Sequence, residues 1–137
     1  MSKNLNVVFK QNAFPLFESV SAGFPSPAAD YADKKLDLND LCIRNPSATF
    51  FIRVAGDSMQ GAGIYDGDIL IVDKSLTAKT RDVIVAVIDG EFLVKRLCRQ
   101  GNRVFLAAEN FNYSPILIEE NTDFQVWGVV TKVIHNI

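Results

Sequence analysis

The chain has 137 residues, of which 48% are apolar and 22% charged, with a formal net charge of −2. This is the composition of one ordinary globular domain with a real core, not of a disordered chain. A near-neutral balance with no basic run lacks the electrostatic footprint of direct, specific DNA binding, and no apolar run approaches the roughly 20 residues that span a membrane.

Met1–Lys10 lacks the long apolar stretch of a signal peptide, so the chain is expected in the cytoplasm. In that reducing compartment Cys42 and Cys98, far apart and outside any CxxC pair, read as free, buried thiols. The single histidine, His135, stands third from the C-terminus. It reads as an incidental terminal residue; a His-rich metal site is excluded, and a Ser-His-Asp triad would have to use that residue. No metal and no cofactor is expected.

Taken in order, residues 1–25 mix polar positions with Val7, Val8, Phe9, Phe14, Leu16 and Phe17 and show no clean period, which suggests a flexible N-terminal arm. Ser21-Ala22-Gly23-Phe24-Pro25-Ser26-Pro27 follows. Its prolines and glycine can continue neither a helix nor a central strand, so it reads as an exposed, extended connector. Residues 26–137 then form the folded domain. Ser26 is placed to cap a helix begun by Pro27 and running over Ala28–Lys35. Asp37 is placed to cap a second short helix through Leu38, Leu41 and Cys42. Strands are expected at Thr49–Val54, Asp68–Asp73, Val83–Ile88, Glu91–Cys98, Arg103–Ala107 and Phe124–Ile134, with Asp89-Gly90 as a tight hairpin turn. The fold class is therefore mainly β: antiparallel strands with one or two short helices.

Two places carry possible chemistry. The segment from Ala55 to Asp68 joins two strands and holds four glycines. Glycines permit positive φ and close backbone approach, so Ser58 sits exposed on a sharp turn whose neighbouring N–H groups can face an oxyanion. The second is Lys95. Along its strand Leu93, Lys95 and Leu97 share one face, and Phe92, Val94 and Arg96 share the other. One of the two basic residues must then lie beside apolar neighbours. A lysine answers burial by losing its proton, and a neutral amine can take a proton from serine. An arginine stays charged. Asp66, Asp68, Asp73, Glu119 and Glu120 read as turn or surface carboxylates, and Trp127 as a core or dimer-interface residue.

Together, Gly56-Asp57-Ser58-Met59, Gly63-Ile64-x-x-Gly67-Asp68 and Val94-Lys95-Arg96 resemble the LexA/UmuD family of self-cleaving serine–lysine proteases. Ser21 to Tyr31 and Asn45-Pro46-Ser47-Ala48-Thr49-Phe50-Phe51 are similar to its UmuD branch. The resemblance implies a curved antiparallel β catalytic domain of the LexA/signal-peptidase type. It makes Ser58 the nucleophile, Lys95 the general base and Ala22–Gly23 the bond that the chain cuts in itself. It further implies an SOS DNA-damage role in which the RecA–single-stranded DNA filament promotes the cut. The shortened form would act as a homodimer that joins a UmuC-type translesion polymerase. LexA-type repressors carry an N-terminal helix-turn-helix domain for which residues 1–25 have no room. Two other readings compete. A pure binding module of the same fold has no need of Ser58, Lys95 and Ala22–Gly23 together, and a membrane leader peptidase would need a spanning segment.

Overall fold

The structure is a computed structural model that describes residues 12–17 and 34–137. The chain divides into two compact units at Arg44/Asn45. The first contains an antiparallel pair, β1 (Ala13–Leu16) with β2 (Lys34–Asp37), in which Phe14 stands opposite Leu36. A one-turn helix, α1 (Leu38–Cys42), follows directly. As expected, Asp37 caps it, its carboxylate accepting the Asn39 N–H at 2.8 Å. The helix expected over Ala28–Lys35 is corrected at its end: Lys34 and Lys35 are strand. There the ladder with β1 satisfies the backbone that helix propensity would have claimed. Residues 28–33, the capping pair Ser26-Pro27 and the arm boundary at residue 25 lie outside the described residues.

The second unit, Asn45–Ile137, is built on a seven-stranded sheet. Its strands are β3 (Thr49–Arg53), β4 (Ile69–Asp73), β5 (Val83–Ile88), β6 (Glu91–Gln100), β7 (Arg103–Ala107), β8 (Ile116–Ile118) and β9 (Phe124–Ile134). The order is β3-β4-β9-β5-β6-β7-β8, every neighbouring pair antiparallel. Asp89 and Gly90 both take positive φ, at 48° and 83°. That is the turn whose twist matches a two-residue hairpin, and it pins Ile84 opposite Lys95.

The β5 run Val-Ile-Val-Ala-Val-Ile is buried on both faces. Val85 packs with Val54, Met59, Ile64, Leu70 and Val72. Ile84 and Ala86 pack on the other side with Leu97, Leu106 and Val129. Two bulges interrupt β9, where Thr131 is extra against β4 and Trp127 is extra against β5, and such bulges bend the strand that carries them. Trp127 stands half-buried against Phe50 and Phe92, with the Lys74 ammonium 4.6 Å from its ring centre.

Gly128 follows the Trp127 bulge, and a Cβ placed there would meet the Val72 Cγ1 at 2.5 Å. Val72 is fully buried and cannot yield. Gly128→Ala is therefore expected to destabilise the domain by about 1–3 kcal/mol through overpacking. The denaturant midpoint measures this. Val72→Ala, added to the first change, should recover part of the loss, whereas an independent cavity would make the two losses add.

Candidate active site

The turn after β3 is held at several points. Val54 exchanges backbone bonds with the far end of the glycine-rich segment: its N–H donates to Asp68 and its carbonyl accepts from Gly67, both at 2.8 Å. Gly56, at φ 94°, donates its N–H to the Asp66 carboxylate at 2.8 Å. Met59, only 2% exposed, anchors the turn in the core, and its carbonyl receives the N–H groups of Ala62 and Ile64. Ser58 is thus fixed between a glycine hinge and a buried methionine. Among the described residues neither its N–H nor that of Met59 donates a hydrogen bond.

The loop after β7 clamps the same turn. The Glu109 N–H donates to the Ser58 carbonyl at 2.8 Å, and the Glu109 carbonyl accepts the Gly61 N–H at 2.7 Å. A Cβ at Gly61 would press on that carbonyl at 2.7 Å, which is why glycine stands there. The Asn110 amide donates to the Asp57 carbonyl at 2.9 Å, and the Tyr113 hydroxyl donates to the Asp57 carboxylate at 2.6 Å. Arg96 braces the loop from β6 by pairing with Glu109 while also donating to the Arg81 carbonyl.

Lys95 comes from the middle of β6 and is 8% exposed. Of the two adjacent basic residues, the lysine is the buried one and Arg96 is only half-buried. Burial alone pushes the Lys95 ammonium below its ordinary pKa. Among the described residues no carboxylate pairs with it. The Tyr113 ring lies 5.2 Å from its Nζ. Ser58 and Lys95 line one cleft of about 300 Å³, with Val54, Met59, Phe92 and Val94 among its walls. A buried, unpaired lysine facing the cleft of a serine turn is an arrangement for general-base activation of a hydroxyl. Ala22 and Gly23 lie outside the described residues. Among those residues, no group of three His, Cys, Asp or Glu side chains could hold a metal ion.

Several sequence readings need correction. Asp68 and Asp73 are not surface carboxylates but are 4% and 5% exposed. Asp73 accepts from the Asn45 amide and from the Ser75 hydroxyl and N–H, and these bonds hold its pKa down. His135 is not incidental: its Nδ1 lies 2.6 Å from the Asp68 carboxylate and its ring 4.9 Å from that of Tyr65. Burial pushes the Asp68 pKa up, but the bonds from His135 and the Tyr65 N–H and the charge of His135 outweigh it, leaving it lowered. The pair ties the end of the glycine-rich segment to the end of β9. Both cysteines are free, as expected, though only half-buried. Sequence reasoning missed the Glu109–Tyr113 clamp, because nothing local in Asn-Phe-Asn-Tyr says that it meets residues 57 and 58.

The sequence model of the Peptidase S24-like family matches residues 15–131. Protein SamA of Salmonella typhimurium is 48% identical over 126 residues, covering 91% of this chain and 87% of that protein. Protein MucA of Escherichia coli is 46% identical over 115 residues, covering 83% of this chain and 78% of that protein. A LexA repressor of Shewanella piezotolerans is 41% identical over 123 residues, 89% of this chain but 59% of the repressor. With that similarity over nearly its whole length, the chain belongs to the Peptidase S24-like family and is an autocatalytic serine–lysine peptidase of the UmuD type, of SOS mutagenesis.

Proposed function

We propose that Ser58 and Lys95 are the dyad of this peptidase and that its substrate is its own Ala22–Gly23 bond. The observation that carries this is the shared cleft, in which Lys95 is buried, depressed in pKa and, among the described residues, free of any carboxylate partner. The neutral Lys95 amine takes the Ser58 hydroxyl proton, and Oγ attacks the Ala22 carbonyl. The oxyanion that forms meets the Ser58 and Met59 N–H groups, which have no other acceptor among the described residues. The Lys95 ammonium returns the proton to the departing Gly23 amine, and water then releases residues 1–22 from the serine.

A small residue on each side suits the bond to a narrow cleft. Attack requires the bond to be seated at Ser58, so the rate scales with the population of the docked form. An activator that prefers that form accelerates cutting in proportion to its differential affinity. Family membership supports the RecA–single-stranded DNA filament as that activator. It likewise supports a cytoplasmic homodimer of the cut form that serves a UmuC-type translesion polymerase; the near-neutral charge and lack of a basic run argue against specific DNA contact of its own. The test is intact mass before and after incubation with a RecA–single-stranded DNA–nucleotide filament. A new species beginning at Gly23 is expected, and a fragment beginning elsewhere would overturn the assigned bond.

Gly23→Glu is expected to block this cut while leaving the dyad able to act. Supplied as enzyme to a Ser58→Ala chain, the blocked protein should cut the second chain slowly. If wild type cuts that substrate and the Gly23→Glu protein does not, Gly23 matters for more than its fit in the cleft.

A further inference from the structure

We infer that Tyr113 is a positioning residue for self-cleavage, one side chain that sets both the nucleophile's turn and the base. Its hydroxyl donates to the Asp57 carboxylate at 2.6 Å, one residue before Ser58, and its ring centre lies 5.2 Å from the Lys95 Nζ. This inference rests on the Ser58–Lys95 reading above.

The two contacts act differently. The hydroxyl bond fixes Asp57 from the side-chain end, while the Asn110 amide fixes the same residue through its carbonyl. With both in place the residue just before Ser58 is held at its carbonyl and at its side chain, which fixes where the Ser58 Cα enters the cleft. The Asp57 carboxylate also holds the phenol proton, keeping the Tyr113 pKa above its ordinary value. The donor therefore persists into the alkaline range where a lysine base works best. The ring does something else. An ammonium beside an aromatic face is attracted by the ring's quadrupole, and a neutral amine is not. Tyr113 thus favours the charged form of Lys95, against the burial that disfavours it.

Other described groups lie near this lysine. Ile84 stands opposite it on β5. Arg53 on β3 lines the same cleft, with its guanidinium donating to the Gly67 carbonyl. Asp57 is engaged by Tyr113, and Arg96 and Glu109 pair with each other. Nothing else among the described aromatic rings is in cation contact with Lys95.

Two variants separate the contacts. Tyr113→Phe keeps the ring and deletes the hydroxyl; Tyr113→Leu keeps apolar cover and deletes both. Self-cleavage of the full chain is followed by mass across the pH range. For Tyr113→Phe the plateau rate should fall about 3–10-fold, the scale of one typical net hydrogen bond between partly exposed groups, with the midpoint of the pH profile unchanged. For Tyr113→Leu the plateau should fall at least as far, and the midpoint should move about half a pH unit to lower pH as the cation–π term is lost. A merely structural role would slow both without splitting the profiles. The same half-unit difference should appear when the Lys95 ammonium is titrated by NMR in a Ser58→Ala background, where no cleavage is needed. A Tyr113→Phe plateau like wild type, or a Tyr113→Leu midpoint like wild type by both methods, would overturn the inference. If Ser58→Ala itself still cleaved, the dyad reading would fail first, and the Tyr113 assignment with it.

Discussion

Ser58→Ala is expected to abolish self-cleavage, lowering the rate by about 10⁴-fold or more, the scale seen when a peptidase nucleophile is removed. The fold should not notice. Ser58 holds the neighbouring loop through its backbone carbonyl, which accepts the Glu109 N–H at 2.8 Å. Alanine keeps that carbonyl. The side chain is only half-buried, and its hydroxyl bonds no other described group, so stability should stay within about 0.5 kcal/mol of wild type. Intact mass and a denaturant midpoint on the same sample give both answers. A fragment beginning at Gly23 in a pure Ser58→Ala preparation would remove Ser58 from the mechanism. Ser58→Cys should keep some activity, since a thiol needs less help from its base.

Lys95→Met should be equally inactive at neutral pH, with a second consequence of opposite sign for stability. On the proposed dyad only the neutral amine accepts the serine proton. The rate should therefore rise about tenfold per pH unit below the lysine's pKa and level off above it. Burial places that plateau below the pH at which an ordinary lysine would reach it. Lys95→Arg should be inactive throughout, because a guanidinium keeps its proton. The linkage follows from proton counts. Where the folded pKa of a base lies under its unfolded value, the unfolded chain binds more protons between the two. Stability then climbs with pH across that window and carries the full penalty below it. Lys95→Met removes the penalty. Compared in a Ser58→Ala background, it should melt higher at neutral pH, and the gain should shrink as pH rises through the lysine's own titration. A cleavage rate flat from mildly acidic to alkaline pH, in protein that stays folded, would remove Lys95 as the base.

The features legible in the sequence are those whose cause is local. Asp89-Gly90 announces a hairpin because two successive positive φ values favour such residues. Asp37 announces a cap because a short carboxylate reaches the N–H two residues on. The β-branched run of β5 and the alternation along β6 declare strands, and the same alternation places one cation beside apolar neighbours. Alternation could not decide whether Lys95 or Arg96 was the buried one. The sheet decided it, by setting Lys95 opposite Ile84 and leaving Arg96 to reach Glu109.

What lay beyond the sequence depends on contacts between distant residues. β1 and β8 are four and three residues long, too short for a period to show, and exist as strands only through their partners. The Lys34–Asp37 strand displaced an expected helix end for the same reason. Tyr113 reaches Asp57 across 56 positions, and His135 reaches Asp68 across 67. No local rule relates residues so far apart. Periodicity tells a side chain which face it occupies, but not which other element packs against that face. The bulges at Trp127 and Thr131 are likewise visible only in the register of β9, since they are defined by its partners β4 and β5.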